Sequence, residues 1–266
     1  MKTIAHYSNL YRAFLKSNWR FAVVNRGNTL FEAFGSLGWG LFGIFTTIII
    51  TSKVKMVFGW SREELIFLAA LFTTVHGTLR GLFITNFRVL SEIIQFGGLD
   101  QLLIKPVDFQ FLATLRYFSF HRLSRLLMGM IVIPIIVLKL KIPIFLTLDK
   151  LFFFGIGLGF WMMIFYSYFV FTAVLVMKNP RLTNVNEFTN NLIGNSKYPP
   201  ELLRNSSLIL YLVFLPIAIL VATPARVILG KPFYFDLILM GIVAIFLVIS
   251  SRILFNNSIR NYTSAN

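Results

Sequence analysis

Apolar stretches of about 20 residues recur along the whole chain and are separated by short polar segments. An α-helix needs about 20 apolar residues to cross a hydrocarbon layer ~30 Å thick. The pattern therefore predicts an all-α fold, a polytopic membrane protein with six transmembrane helices. The predicted crossings are Asn28–Thr51, Leu65–Phe87, Leu123–Leu138, Leu151–Met177, Leu208 to about Ile228, and Phe233–Phe255. Pro134 and Pro216 fall inside the third and fifth crossings and predict kinks there.

Residues 4–22 carry a different pattern, with apolar side chains on one side of a helix and basic or polar side chains on the other. The apolar side consists of Ile4, Tyr7, Tyr11, Phe14, Leu15 and Ala22. This predicts an N-terminal amphipathic interfacial helix that lies in the membrane surface. A helix docked on the protein itself is the alternative. The chain thus divides into an amphipathic helix (1–27), a transmembrane domain (28–255) and a short tail (256–266).

Composition agrees with a membrane protein and sets its orientation. Hydrophobic residues make up 57% of the chain and charged residues 13%, against roughly 25% charged in a soluble domain. The net charge of +15 is assigned to topology rather than to a nucleic-acid partner, because Lys and Arg concentrate in cytoplasmic loops. With both termini cytoplasmic, about twice as many basic residues lie inside as outside. This orientation makes residues 88–122 and 178–207 the two longer cytoplasmic connections.

Several kinds of site are excluded by the residue inventory. The chain has no cysteine and only three dispersed histidines, so no metal site is predicted. It has no G-x-x-x-x-G-K-[ST] loop, so no cofactor is expected to be bound by this chain through such a loop. Its glycine clusters instead lie in apolar helices, where small residues allow close helix packing. The clusters are Gly35, Gly38, Gly40 and Gly43 in the first crossing and Gly155, Gly157 and Gly159 in the fourth.

The stretch GGLDQLLIKPVDF, residues 97–109, interrupts the apolar pattern between the second and third crossings. Ser91 can cap a short helix that ends at the glycines, and Asp100 can cap a second one that Pro106 terminates. The sequence therefore predicts a bent cytoplasmic hairpin over 88–108. Its apolar residues suit docking in a groove of another protein, or dipping into lipid headgroups as an ordinary interfacial loop. Those apolar residues are Ile93, Ile94, Leu102, Leu103 and Ile104.

The segment SEIIQFGGLDQLLIKP resembles the signature of the six-span, type 2 ABC-transporter permeases, the ABC-2 family. Further similarities are Tyr198 and Pro199 before the fifth crossing, Pro216 within it and TPARVILG, residues 223–230, near its end. The resemblance covers essentially the whole chain and implies that the hairpin is a coupling helix seated in a separate ATPase subunit. The coupling residues so implied are Ser91, Glu92, Gly97, Gly98, Leu99, Asp100, Leu103, Lys105 and Pro106.

The same resemblance implies the partners and the location. Two ABC ATPase subunits, which bind ATP and Mg, would act on a pair of permease chains, identical or from sister genes. The complex would be an exporter in a bacterial-type cytoplasmic (inner) membrane, surrounded by membrane lipid, with residues 28–255 as the permease domain.

Three ionisable residues fall within the predicted crossings: Glu32, His76 and Arg80. An isolated charge at such a place costs about 2.5 to 3.5 kcal/mol, so pairing or access to water is expected. Glu32 and Arg80 have matching depths, which predicts an ion pair between the first two crossings. That group either faces a substrate path or simply joins two helices.

Two other functions remain as alternatives. A membrane-embedded enzyme would need paired acids, a metal site or an activated nucleophile, and the ten acidic residues lie mostly near span ends. A secondary transporter would show intramembrane carboxylates or symmetric broken helices. Transport that follows an ion gradient without nucleotide would favour the secondary transporter.

Overall fold

The computed structural model describes residues 4–182, 184–203 and 208–260, with the backbone alone at residue 4 and over 202–203 and 208–215. The described chain is helical almost throughout. The helices are α1 (Ile4–Val24), α2 (Arg26–Ile50), α3 (Arg62–Leu79), α4 (Thr85–Gln95), α5 (Asp100–Leu103), α6 (Phe109–Leu115), α7 (Ser124–Leu140), α8 (Leu148–Lys178), α9 (Val185–Gly194), α10 (Leu208–Leu229) and α11 (Tyr234–Arg260). This confirms the all-α polytopic membrane fold.

Each predicted crossing coincides with a helix. Five helical runs are long and apolar enough to span a membrane: Arg26–Ile50, Arg62–Gln95, Phe120–Leu140, Leu148–Lys178 and Tyr234–Arg260. In the fifth predicted crossing, side chains are described from Pro216 onward. This part is a shorter apolar helix, Pro216–Leu229. Both α7 and α10 continue through their prolines, as neighbouring helices permit in a bundle.

A two-residue hairpin caps one end of the bundle. Strands β1 (Met56–Val57) and β2 (Trp60–Ser61) pair antiparallel across Phe58 and Gly59, whose φ angles of 50° and 81° are both positive. Positive φ at both central residues is typical of a type I′ turn. We call this the hairpin end of the bundle.

The opposite end, here the α1 end, holds helix α1 and the C-terminal end of α11. On α1, Tyr7 and Phe14 contact Phe111 of α6, and Asn18 donates a hydrogen bond to the Arg116 carbonyl. On α11, Phe255 stacks on Phe109 of α6. The apolar side of α1 therefore lies partly against the protein, which was the alternative left open by its sequence.

Helices α3 and α8 form the centre, whereas α2 and α7 lie outside. The largest fully buried side chains of α8 are Trp161, Phe165 and Phe169. Helices α4, α10 and α11 pack around α8, and His76 of α3 contacts Phe165. Large apolar residues of α2, among them Phe31, Phe34 and Trp39, are exposed in the single chain. Such a surface suits lipid or another membrane chain.

The interrupted segment Val185–Leu203 runs through the bundle rather than along its surface. It consists of α9, a 3₁₀ turn at Asn195–Lys197 and a second one at Pro200–Leu203. Near its start, the Asn186 amide donates to Ser91 Oγ on α4 over 2.8 Å. Near its end, Glu201 accepts a hydrogen bond from Trp60 Nε1 over 3.1 Å at the hairpin end. The interpretation of residues 178–207 as one cytoplasmic connection was therefore wrong.

The polar content of this segment explains the error. Asn186, Thr189 and Asn190 are buried on one face of α9, and Thr189 shares a 2.8 Å hydrogen bond with Thr172 of α8. Buried polar groups that have such partners carry no large penalty. Because they lower the hydropathy of the segment, it does not resemble a membrane crossing in sequence.

Candidate functional site

The predicted coupling hairpin begins as a direct continuation of the second crossing. Helix α3 passes through a π turn, Arg80–Ile84, into α4. Ser91 lies inside α4, where its hydroxyl donates to the Phe87 carbonyl over 2.9 Å. Ser91 is therefore not an N-cap, and the prediction of a separate short helix starting there was wrong.

The end of α4 follows the prediction, because the two glycines stop the helix. Gly97 has φ +70°, and its N–H donates to the Ile94 carbonyl over 3.2 Å while the N–H of Gly98 donates to the Ile93 carbonyl over 2.8 Å. These two bonds define a Schellman motif, which needs a left-handed residue at the position of Gly97. The chain consequently turns sharply away from the axis of α4.

Replacing Gly97 by alanine should lower the free energy of unfolding by about 1 kcal/mol, because a Cβ strains a left-handed residue. Gly98→Ala is the matched control: its φ is not positive, and an added Cβ would meet Ile93 Cγ2 at 3.4 Å, an ordinary contact. Unfolding by SDS in mixed micelles measures both. Equal losses for the two variants would contradict the assignment of the turn to Gly97.

Helix α5 is a single turn whose inner and outer sides differ sharply. Asp100 is the first residue of α5, and no side chain caps the start of this turn with a hydrogen bond. The prediction that Asp100 caps the turn was therefore wrong. Leu99 and Leu102 point inward and belong to the main hydrophobic core. Outside, Phe96 is 87% exposed and Ile104 82% exposed. We call residues 96–106 the knuckle.

The remaining predicted coupling residues surround the knuckle. Asp100, Lys105 and Pro106 are exposed and Leu103 is half-buried. Glu92 is exposed on α4, where it pairs with Arg88 over 3.9 Å. Ile94 and Leu102, predicted as docking residues, are instead buried anchors. Of the five apolar residues predicted to dock, Ile104 alone is exposed.

Helix α6 supports the knuckle through a hydrogen-bonded group. Asp108 caps α6 by accepting from the Phe111 N–H over 2.9 Å, and Arg252 of α11 donates to its carboxylate over 3.0 Å. Burial alone would raise the pKa of Asp108, but the bonds from Arg252 and from the Phe111 N–H outweigh it and hold the pKa below its usual value. Gln110 donates to the Tyr166 hydroxyl over 2.7 Å. The same residues line an open cavity of about 310 Å³.

The predicted pair of Glu32 with Arg80 is not what the structure shows. Glu32 lies 3.0 Å from Nδ1 of His121, just before α7. Arg80 is half-buried, and its Nε has no hydrogen-bond partner in the part of the chain whose side chains are described. The pairing prediction was wrong because matching depth does not fix which neighbour a side chain faces.

Arg80 lies instead among other basic groups. Arg122 and Arg125 are close enough for electrostatic repulsion with it, and Arg125 donates from Nε to Ser36 Oγ over 2.9 Å. His76, predicted one turn from Arg80, is buried and stacks on Phe72 with 4.8 Å between ring centroids. We call Arg80, Arg122 and Arg125 the arginine cluster.

A second group of charges joins four elements at the hairpin end. Arg226 of α10 forms ion pairs with Glu201 and Asp236. Lys231 pairs with Glu64 over 2.6 Å. The Lys231 ammonium also lies 4.5 Å from the ring centroid of Trp60. Through Arg226 the interrupted segment is tied to α10 and α11, and Lys231 ties the turn after α10 to α3.

Sequence reasoning missed several residues of these sites. Phe96 is the most exposed large apolar residue of the knuckle, and its position just before a helix-stopping glycine is a signal that could have identified it. Arg122 and Arg125 were counted only as cytoplasmic basic residues and His121 only as a dispersed histidine, although all three lie at the start of an apolar helical run. Among the residues that the structure describes, no group of three or more His, Asp or Glu side chains could hold a metal ion.

Comparison with known proteins gives one match. A protein-family model described as "ABC-2 family transporter protein" matches residues 37–266. Searches of curated proteins and of solved structures found no match. The matched region includes every helix from the middle of α2 onward, and with it the knuckle and the interrupted segment. The chain therefore belongs to the ABC-2 transporter family, as a membrane-embedded permease component.

Proposed function

We propose that this chain is the permease subunit of an ATP-driven exporter and that the knuckle couples it to a separate ATPase. The main support is the knuckle, an anchored turn that exposes Phe96 and Ile104 to solvent. The sequence has no phosphate-binding loop that could supply the energy from ATP. Large apolar side chains this exposed on a rigid turn suit a pocket on another protein.

The way the knuckle is fixed supports a mechanical role. Leu99 and Leu102 are in the core, and the Schellman motif joins the knuckle to α4 without a flexible linker. The run from Arg62 to Gln95 connects it to the hairpin end as one helix with a π turn. Movement imposed on the knuckle is therefore transmitted to the second crossing.

The remaining parts of the proposal follow from family membership. ABC-2 permeases associate in general with ABC ATPases, and we propose two such subunits here, which bind ATP and Mg while this chain binds neither. A second permease chain would cover exposed faces such as that of α2. With the knuckle cytoplasmic, the α1 end is also cytoplasmic, and with it α1 and the C-terminal end of α11, so that both termini lie on the cytoplasmic side of a bacterial-type inner membrane.

Aspartate in place of Ile104 or Phe96 should reduce the amount of ATPase that co-purifies with the permease by more than tenfold. A charge at a central apolar anchor leaves an unpaired carboxylate in the interface, which costs about 2 kcal/mol or more. The measurement is co-purification from mild detergent with the ATPase encoded nearest to this gene. Phe58→Asp, an exposed apolar residue at the hairpin end, is the matched control.

Equal recovery of the ATPase with all three variants would contradict docking through the knuckle. Transport by vesicles containing this chain alone, driven by an ion gradient without nucleotide, would contradict the ATP-driven function as a whole.

A further inference from the structure

The arginine cluster sits in a groove made by two glycines at the junction of α3 with its π turn. A Cβ on Gly77 would lie 2.5 Å from Cγ of Arg125, and a Cβ on Gly81 would lie 2.8 Å from Cβ of Arg122. The stems of both arginines are therefore packed directly against the helix backbone. The Arg125 guanidinium faces Ser36 and Gly40 of α2, and the charges of Arg122 and Arg125 both act on that of Arg80.

The protein does not neutralise this cluster. All ten acidic residues of the chain lie within the described ranges, and none forms an ion pair with Arg80, Arg122 or Arg125 there. Glu32, which influences Arg122, is engaged with His121 at 3.0 Å. Glu187, which influences Arg80, is itself exposed. Three positive charges therefore remain together without an acidic partner among the described residues.

Polar atoms around the cluster also lack partners. The buried Nε atoms of Arg80 and Arg122 donate no hydrogen bond within the described part of the chain, and Nδ1 of His76 has no hydrogen-bond partner there either. His76 is more than nine-tenths buried and lies close enough to all three arginines to interact with their charges. Unpaired charged and polar groups at this depth are costly, so a ligand that supplies acceptor oxygens would stabilise the site.

We propose that Arg80, Arg122 and Arg125 bind the phosphate group of an anionic ligand. Guanidinium groups match phosphate geometry with paired N–H donors, and three of them offer more donors than one carboxylate can accept. The phosphate belongs either to the headgroup of an acidic phospholipid or to a soluble phosphate-bearing compound. This site does not depend on the knuckle or on a partner ATPase.

The test uses the full-length chain in nanodiscs of phosphatidylcholine with and without phosphatidylglycerol. Native mass spectrometry counts the phosphatidylglycerol molecules that stay bound after release from the disc. The variant Arg122→Gln/Arg125→Gln should bind this lipid at least about tenfold more weakly than the wild type, since each lost charged hydrogen bond accounts for roughly that factor. Lys178→Gln, which removes an exposed charge at the same end, should bind as the wild type does.

The source of the phosphate is distinguished in the pure phosphatidylcholine discs. Stabilisation of the wild type there by inorganic phosphate or glycerol 3-phosphate, lost in the double variant, supports a soluble ligand. If these soluble phosphates do not stabilise the wild type but phosphatidylglycerol stays bound to it, the result supports a lipid ligand. Arg122→Lys/Arg125→Lys keeps the charge and the fold while losing the paired donors, and should bind with intermediate strength. Equal anion binding by the wild type and the glutamine variant, or none by the wild type, would overturn the proposal.

Discussion

Methionine in place of Arg226 should lower the free energy of unfolding by about 3 kcal/mol. The side chain is 15% exposed and is paired with Glu201 and Asp236. Removing one partner of a buried ionic group leaves uncompensated charge, which costs about 3 to 5 kcal/mol. We expect the lower figure because both carboxylates keep some contact with solvent. SDS unfolding in mixed micelles measures the loss.

Two variants separate the ion pairs from general effects. Arg226→Lys keeps the positive charge but cannot reach both carboxylates with one planar group, so an intermediate loss is expected. Lys53→Met removes an exposed charge near the same end and should change stability by less than about 0.5 kcal/mol. A loss for Arg226→Met no larger than that of Lys53→Met would show that the ion pairs contribute nothing.

Valine in place of Gly129 should destabilise the protein by about 3 kcal/mol, by separating α3 from α7. A Cβ at Gly129 would lie 2.1 Å from Cγ2 of Thr74 and 2.7 Å from its Cβ. Thr74 is branched, and its hydroxyl is bonded to the Ala70 carbonyl over 2.8 Å, so it cannot rotate freely away. Overpacking of this kind costs about 1 to 3 kcal/mol or more.

The matched control is Gly35→Val in α2, where an added Cβ meets nothing within 4 Å. Glycine weakens a helix interior, so this substitution should be neutral or mildly stabilising. In SDS unfolding, Gly129→Val should therefore lower the free energy of unfolding by about 3 kcal/mol. Gly35→Val should leave it unchanged or raise it slightly. Similar losses at both positions would show that α3 and α7 are not held as closely as the structure has them.

The glycines show what the sequence can and cannot predict about packing. Clustering in sequence predicted close helix packing in α2 and α8, and Gly40, Gly43 and Gly157 do have close neighbours, whereas Gly35, Gly38, Gly155 and Gly159 have open space around them. The closest approaches occur instead at isolated glycines, Gly77, Gly81 and Gly129. Spacing along one helix says nothing about which face meets a neighbour, because that depends on the partner helix.

The crossings themselves could be predicted because hydropathy reflects the solvent around each helix. The interrupted segment could not be predicted, because Asn186, Thr189 and Asn190 are buried among other protein groups, where Asn186 bonds to Ser91 and Thr189 to Thr172. The knuckle falls between these cases. Its turn follows from Gly97 alone, a local rule, whereas the division into buried Leu99 and exposed Ile104 depends on the tertiary fold.

The π turn at Arg80–Ile84 sets the rotational phase of everything that follows it in the second crossing. A π turn holds one residue more than an α turn, and one residue corresponds to about 100° around the helix axis. Deleting a single residue there would swing Leu90 and Ile94 out of the core and point the knuckle in another direction. The outward orientation of Phe96 and Ile104 thus depends on the one extra residue of a π turn that lies more than ten residues earlier in the chain.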